Sequence, residues 1–277
     1  QMQLTEENEQ SMVLKIDSLE PNDARAVYKT ITLDTRQYKR FKMFVHAEEM
    51  IDGENIPDNR LYAFVRFGSD FTENYYEYRI PLKITPAGAI DQYSVWPQAN
   101  NFDFEFEMLT NLKLERDKKR NAGQVRYNER YTKMHGNNTM AVIGSPSFGD
   151  ISSMMIGIVN EDDVTHNAEI WVNEMRMSGY DEEGGWAAIA NLGIVFSDLG
   201  SLTVGGQIET VGFGNIEDNI TDRNQEDFYE YNITAAVQLG KLFPEKAKVN
   251  LPFTYTRTHQ RTSPKYDPMN TDTELSK

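Results

Sequence analysis

Residues 228–258 hold two strand-length runs on either side of the short stretch Lys241-Leu242-Phe243-Pro244-Glu245. In the first run Tyr229, Tyr231, Ile233, Ala235, Val237 and Leu239 alternate with Glu230, Asn232, Thr234, Ala236, Gln238 and Gly240. Neighbouring strand side chains point to opposite faces, so one face is continuously apolar and the other small or polar. In the second run Ala247, Val249, Leu251, Phe253 and Tyr255 alternate with Lys248, Asn250, Pro252, Thr254 and Thr256. The pattern predicts a long amphipathic hairpin. Both runs reach the roughly 9 to 11 residues of a tilted membrane-spanning strand, beyond the usual strand of about 5 to 6. Tyrosine and phenylalanine at the strand ends suit a bilayer interface. A hairpin of a soluble β-sandwich shows the same alternation, so the pattern alone leaves both settings open.

The rest of the chain reads as short strands with turn punctuation. Residues 1–24 are a polar lead-in with one apolar run, residues 12–16, closed by the turn Pro21-Asn22-Asp23. Strands are expected over residues 26–33, 41–47, 61–67 and 75–85, where β-branched and aromatic residues alternate with polar ones. Residues 100–121 predict one amphipathic helix, with Phe102, Phe106, Leu109 and Leu112 apolar, basic residues late and Gly123 just past the end. Residues 125–136 read as a loop, and residues 140–143, 151–159 and 169–177 as strands. This rhythm predicts a soluble β-sandwich over residues 25–180, of jelly-roll type. Asp181-Glu182-Glu183-Gly184-Gly185 marks the boundary. Beyond it, in residues 181–277, the strands lengthen: Leu192, Ile194 and Phe196 alternate, the turn Asp198-Leu199-Gly200 follows, and Leu202, Val204 and Ile208 then oppose Thr203, Gln207 and Glu209. A polar acidic loop, residues 215–227, joins this hairpin to the next. Short turns on one side and a longer loop on the other is the rhythm of transmembrane β-barrel strands, but two hairpins cannot close a barrel.

Composition narrows the classes. The chain has 277 residues, a mean hydropathy of -0.61 and no run approaching a transmembrane helix, which leaves only strands to cross a membrane. A formal net charge of -15, with basic residues scattered except at Lys118-Lys119-Arg120, argues against a nucleic-acid partner. Cysteine is absent, so thiol chemistry, thiolate metal sites and disulfides are excluded, and an oxidising compartment is tolerated. The chain opens at Gln1 with no charged and apolar leader, and is expected to be mature, trimmed or internal to something longer.

No reactive constellation emerges. His46, His135, His166 and His259 lie far apart, without zinc-ligand spacing, so no metal site is expected. Gly144-Ser145-Pro146-Ser147-Phe148-Gly149 departs from the nucleophile-elbow pattern and reads as a turn. Asp70 with Glu73, and Glu161-Asp162-Asp163, are oxygen-rich in the way calcium sites are, but neither follows the EF-hand spacing and solvated loops look the same. Tyr75, Tyr76, Tyr78 and Trp96 suit sugar stacking or core packing. The chain is expected to have no catalytic residues, no cofactor and no enzymatic activity.

Several ordered stretches carry a resemblance. They are Phe44-Val45-His46-Ala47-Glu48, then Ala63-Phe64-Val65-Arg66-Phe67-Gly68-Ser69-Asp70-Phe71-Thr72-Glu73-Asn74-Tyr75-Tyr76-Glu77-Tyr78, then Leu112-Lys113-Leu114-Glu115-Arg116. Trp171-Val172-Asn173-Glu174-Met175-Arg176, Gly184-Gly185-Trp186-Ala187-Ala188 and Phe196-Ser197-Asp198-Leu199-Gly200-Ser201 follow. The last are Asp227-Phe228-Tyr229-Glu230-Tyr231-Asn232 and residues 239–248. Together, from about Phe44 to Pro268, they resemble the SprA (Sov) family of the Bacteroidetes, the outer-membrane translocon of the type IX secretion system, also tied to gliding motility. The resemblance implies an internal piece of a giant single-chain barrel with soluble domains inserted between strand pairs. It implies a pore for folded cargo bearing a C-terminal secretion signal, with a shuttle barrel, a plug protein and outer-membrane lipid as partners.

On that reading Thr203, Gln207, Glu209, Asn232, Thr234, Gln238, Asn250, Thr254 and Thr256 would face an aqueous lumen. Leu202, Val204, Ile208, Ile233, Val237, Leu239, Val249, Leu251 and Phe253 would face lipid. A charge on the lipid face costs about 2 to 4 kcal/mol at mid-membrane, so Val237→Arg is expected to impair assembly more than Gln238→Arg. The alternative is a secreted carbohydrate-binding β-sandwich module without catalytic activity, sensing sugar at Trp96 or Trp171.

Overall fold

The computed structural model describes residues 11–50, 54–126, 128–180, 183–217 and 223–275. The first ten residues of the lead-in, Asp181 and Glu182 of the boundary and residues 218–222 of the acidic loop lie outside them. The chain divides into two compact units, Gln1–Asp181 and Glu182–Lys277.

The first unit is built from strands β1 (Met12–Leu19), β2 (Ala24–Leu33), β3 (Tyr38–Glu49), β4 (Leu61–Gly68) and β5 (Tyr75–Pro81). After a short helix α1 (Gln92–Val95) come β6 (Phe102–Glu105), helix α2 (Phe106–Asn121), β7 (Tyr131–His135), β8 (Asn138–Ile143), β9 (Ile151–Asn160) and β10 (His166–Tyr180). They form two antiparallel sheets, β1-β10-β3-β6 and β2-β9-β4-β5-β8-β7. Early strands pair with late ones, β1 with β10 and β2 with β9, which is the wrapped topology of a jelly roll, widened by the β7–β8 hairpin.

Alternation explains the core. On β3, Phe41, Met43, Val45 and Ala47 are almost wholly buried; on β4 the same holds for Leu61, Ala63, Val65 and Phe67. The two inner faces meet in an aromatic cluster, with Tyr78 stacked on Phe104 at 4.1 Å between ring centroids and Tyr76 on Phe148 at 4.5 Å. Such offset or stacked rings add to area burial, about 0.5–1.5 kcal/mol per pair.

Three local expectations change. The helix begins at Phe106 rather than near residue 100: Phe102 and Phe104 alternate with exposed Asp103 and Glu105, and this strand pairs with residues 40–43 of β3. Sheet pairing outbids the helical spacing of Phe102 and Phe106. Residues 131–135, read as loop, form β7, because Gly136 at φ +62 turns the chain tightly into β8. The apolar run in the lead-in belongs to β1, an edge strand whose Ile16 and Leu19 enter the core. Tyr75, Tyr76 and Tyr78 are buried, so they serve packing rather than sugar stacking.

Helix α2 closes the core through Phe106, Leu109 and Leu112. Its buried Lys113 and Arg116 reach the 144–149 stretch, where Lys113 Nζ donates to the Pro146 carbonyl at 2.7 Å and Arg116 to that of Gly144 at 2.6 Å. That stretch is a turn pinned by the helix, with Phe148 buried as its anchor. Gly144 sits at φ +66 against the Glu73 carbonyl, a place no side chain fits.

The second unit is a four-stranded antiparallel meander, β11 (Ala187–Phe196), β12 (Gly200–Glu209), β13 (Glu226–Gln238) and β14 (Pro252–Pro264), followed by a small hairpin of β15 (Tyr266–Asp267) and β16 (Asn270–Glu274). The meander does not close into a barrel. No described helix is long and apolar enough to cross a membrane.

Candidate functional site

The meander is the first candidate, because its register sorts side chains into two faces. Val204 lies opposite Leu192 on β11 and Ile233 on β13; Leu202 lies opposite Ile194 and Ala235. Val237 meets Phe253, and Ala235 meets Tyr255. One face is therefore apolar across β11, β12 and β13 and over the Phe253–Tyr255 part of β14. On the other, Thr203 meets Thr234, Gln207 meets Glu230, Thr234 meets Thr256 and Ala236 meets Thr254. Here Gly205 lies between Asn191 and Asn232, whose amide oxygens would stand 2.8 and 2.7 Å, respectively, from any added Cβ, so the two amides close over it. Gln207 donates to Glu209 at 2.7 Å along the same face.

Most residues of the two sets keep their partners in register: Thr203, Gln207, Glu209, Asn232, Thr234, Gln238, Thr254 and Thr256 on the polar side, and Leu202, Val204, Ile208, Ile233, Val237 and Phe253 on the apolar side. Four residues fall outside. Leu239 enters a 3-10 turn, Leu239–Leu242, and a second turn, Glu245–Ala247, ends with Lys248 in the left-handed region. These turns consume the chain, so β14 starts only at Pro252, and Val249, Asn250 and Leu251 lie in the connection rather than on a strand. Pro252 has no N–H to give a ladder and is tolerated at the strand's first position. Strand β14 then runs past residue 258, bringing Arg257, His259 and Arg261 onto the apolar side opposite Ile233, Tyr231 and Tyr229. On β11 the polar side carries Ile189 and Val195, so that face is mixed at its margin.

No apolar residue of this unit is buried among the described residues, whereas the buried core lies wholly in the first unit. Leu192 is 56% exposed and Phe253 48%. A wide apolar face without a core partner marks a surface meant for another medium or another protein. The outer strands β11 and β14 each have one unpaired edge among the described residues. At one end the three-residue turn before Gly200 and the β13–β14 connection are tied by Lys241 and Asp198 at 2.9 Å. At the other, Val211 N–H bonds the Asp227 carboxylate and Gly212 N–H the Asn224 carbonyl, anchoring the long loop.

The second candidate is a cleft of about 550 Å³ on the outer face of the first sheet. Cross-strand register sets His46 beside Trp171, and residues 85–96 fold over them. Thr85 N–H bonds the Ala47 carbonyl, and Asp91 caps α1 by accepting from the N–H groups of Tyr93 and Ser94. These bonds place Val95, whose carbonyl lies 2.7 Å from His46 Nδ1, and Trp96, whose ring centre lies 5.7 Å from the imidazole. Trp171 stands edge-on at 6.3 Å, and His46 Nε2 is 3.2 Å from Glu48. The sequence singles out the two tryptophans separately; the loop that joins them, and the parts of His46, Glu48 and Thr85, are not visible in spacing, although alternation along β3 does put His46 and Glu48 on one side.

The acidic clusters serve loops. Burial disfavours the charge on Asp70, but bonds from Glu73, Asn74 and Thr72 outweigh it and hold its carboxyl at about 2. Asp162 is held below the usual range by His166, 2.9 Å away, and by the Asp163 N–H. Glu161 pairs with Arg79 at 2.7 Å.

No curated protein matches this chain. The family described as motility related/secretion protein matches residues 1–277, so this chain, a jelly-roll sandwich followed by an amphipathic meander, belongs to the SprA_N family of motility related/secretion proteins.

Proposed function

We propose that this chain forms part of the outer-membrane protein-conducting channel of the type IX secretion system, exporting folded cargo and supporting gliding motility. The observation that carries the proposal is the meander: four long strands in register, an exposed apolar face, an opposite face of hydroxyls and amides, and open edges on both sides. In this reading the apolar face meets lipid, the polar face lines the lumen, and both edges pair with further strands of the same wall, which removes the unsatisfied backbone groups that lipid does not tolerate. Hydroxyls and amides, with the carboxylates of Glu209 and Glu230 among them, give passing cargo a wetted surface with little apolar area to adhere to. On β14 only Phe253 and Tyr255 offer apolar contact; Arg257, His259 and Arg261 share that side, Arg257 in the same cross-strand row as Ile233 and Val204, so beyond Tyr255 the lipid-facing band narrows to β11–β13. The sandwich is a soluble domain on one face of the membrane. Cargo with a C-terminal secretion signal, a shuttle barrel and a plug protein are its expected partners. A wholly soluble binding module accounts poorly for a unit in which no described apolar side chain is fully buried.

The test compares residues 1–180 with residues 1–277 by light-scattering chromatography, with and without detergent. The expected outcome is a monodisperse short chain in buffer and a long chain that aggregates unless detergent is present. Two monodisperse monomers in plain buffer would overturn the channel reading.

A further inference from the structure

We infer that the cleft between Trp96 and Trp171 is a glycan-binding site, taking a neutral sugar ring. The inference stands apart from the channel reading, because it rests on the outer face of the sandwich alone. Two of the chain's three tryptophans, 75 positions apart in sequence, line one cleft. Its volume of about 550 Å³ falls within the roughly 300–1,000 Å³ of small-molecule sites. Its lining includes an indole pair with His46 between, Glu48, Thr85 and a turn of small residues at Gly88; Glu49 also borders it, with its carboxylate accepting from the Ile56 N–H. Among the described residues no lysine or arginine lines it, so an anionic ligand would meet the Glu48 carboxylate without a counter-charge.

Two ligand classes remain, an organic cation and a neutral sugar. Both use aromatic faces, the cation through the ring quadrupole and the sugar through its apolar C–H face. One feature favours the sugar: the cleft is far larger than one ammonium group needs. Glu48, whose side chain is 42% exposed beside His46, is placed to accept from ring hydroxyls. His46 is already fixed by Val95 and Thr85, so the floor is ordered before a ligand arrives.

The experiment uses the full chain in detergent with Trp186, which lies in the other unit, changed to Phe so that fluorescence reports only Trp96 and Trp171. The probes are glucose, galactose, mannose and N-acetylglucosamine, and, separately, tetramethylammonium and N-acetyl-lysine amide. At least one sugar is expected to shift the emission saturably. Trp96→Ala and Glu48→Gln should each weaken that sugar about tenfold or more, which is about 1.4 kcal/mol, while Trp96→Phe keeps most of the affinity. Unchanged circular dichroism and thermal midpoint guard against misfolding. A response to the cations alone, no response to any probe, or a sugar response that survives Trp96→Ala in a folded protein would each overturn the inference.

Discussion

The sharpest consequence of the register concerns two neighbours in the middle of β12. Val204 is the fifth of ten residues in Gly200–Glu209 and lies between Leu192 and Ile233; Thr203, one step away, lies between Gly193 and Thr234. Ten residues at about 3.3 Å span about 33 Å, and a tilt of about 40° reduces this to about 25 Å along the membrane normal, the height of an outer-membrane barrel's apolar band. Val204 then sits near the midplane, where a lipid-facing arginine costs about 2–4 kcal/mol. Converted at about 1.4 kcal/mol per factor of ten, that is roughly 30- to 700-fold in the equilibrium between inserted and uninserted states. Thr203→Arg differs by one position along the strand but points into the polar face and should cost under about 1 kcal/mol. This pair reads the assignment better than Val237 and Gln238, since those end β13, with Gln238 opposite Pro252, and interfacial positions cost little. The assay is the amount of full-length protein carrying each substitution that is recovered folded in the outer membrane, with secreted cargo as a second readout. Strong loss for Val204→Arg and near-normal levels for Thr203→Arg are expected. Equal losses, or the reverse order, would refute the facing of the sheet.

Other outcomes follow from the sandwich. Glu77 is fully buried on the outer side of β5 with Arg66 at 2.6 Å, Arg79 at 3.2 Å and Arg130 in contact, so Glu77→Ala removes the carboxylate these three guanidinium groups share, although Arg79 keeps Glu161 and Arg66 the Phe71 carbonyl, and should cost about 3–5 kcal/mol, a fall of roughly 6–20 °C in Tm by calorimetry. The carboxyls of Asp70 and Glu115 are held at about 2, the latter by Lys133, Tyr131 and Lys119. Glu77 is also lowered, because its arginines overcome the cost of burial. Each binds its proton more readily unfolded than folded, so stability is full above about pH 5 and falls as pH drops through about 4 toward 2. Urea midpoints measured across that range check it; a midpoint that does not fall would contradict these pairings. Phe41→Ala removes a ring packed against Phe67, Phe104 and Phe106 and should cost about 3–5 kcal/mol in urea titration. Asp198→Asn, by contrast, breaks an exposed pair with Lys241 and should cost under about 1 kcal/mol in the same titration.

Alternation by itself determined which side chains share a face, because period two in a strand is a property of the backbone and needs no partner. Tyr229 to Val237 and Leu202 to Ile208 therefore keep their sides in the folded sheet, and so do Phe41 to Ala47 in the sandwich. Where strands begin and end was not written locally. Phe102 carries helical spacing yet lies on a strand, since β3 offered its backbone a ladder; Val249 and Leu251 carry strand spacing yet lie in a connection, since two 3-10 turns used the chain first. Only the tertiary structure joined Trp96 to Trp171, through a loop folded onto a sheet, and only it surrounded Glu77 with three arginines. Spacing reports neighbours along one element, whereas a site built across elements depends on register and loop closure, which long-range pairing sets.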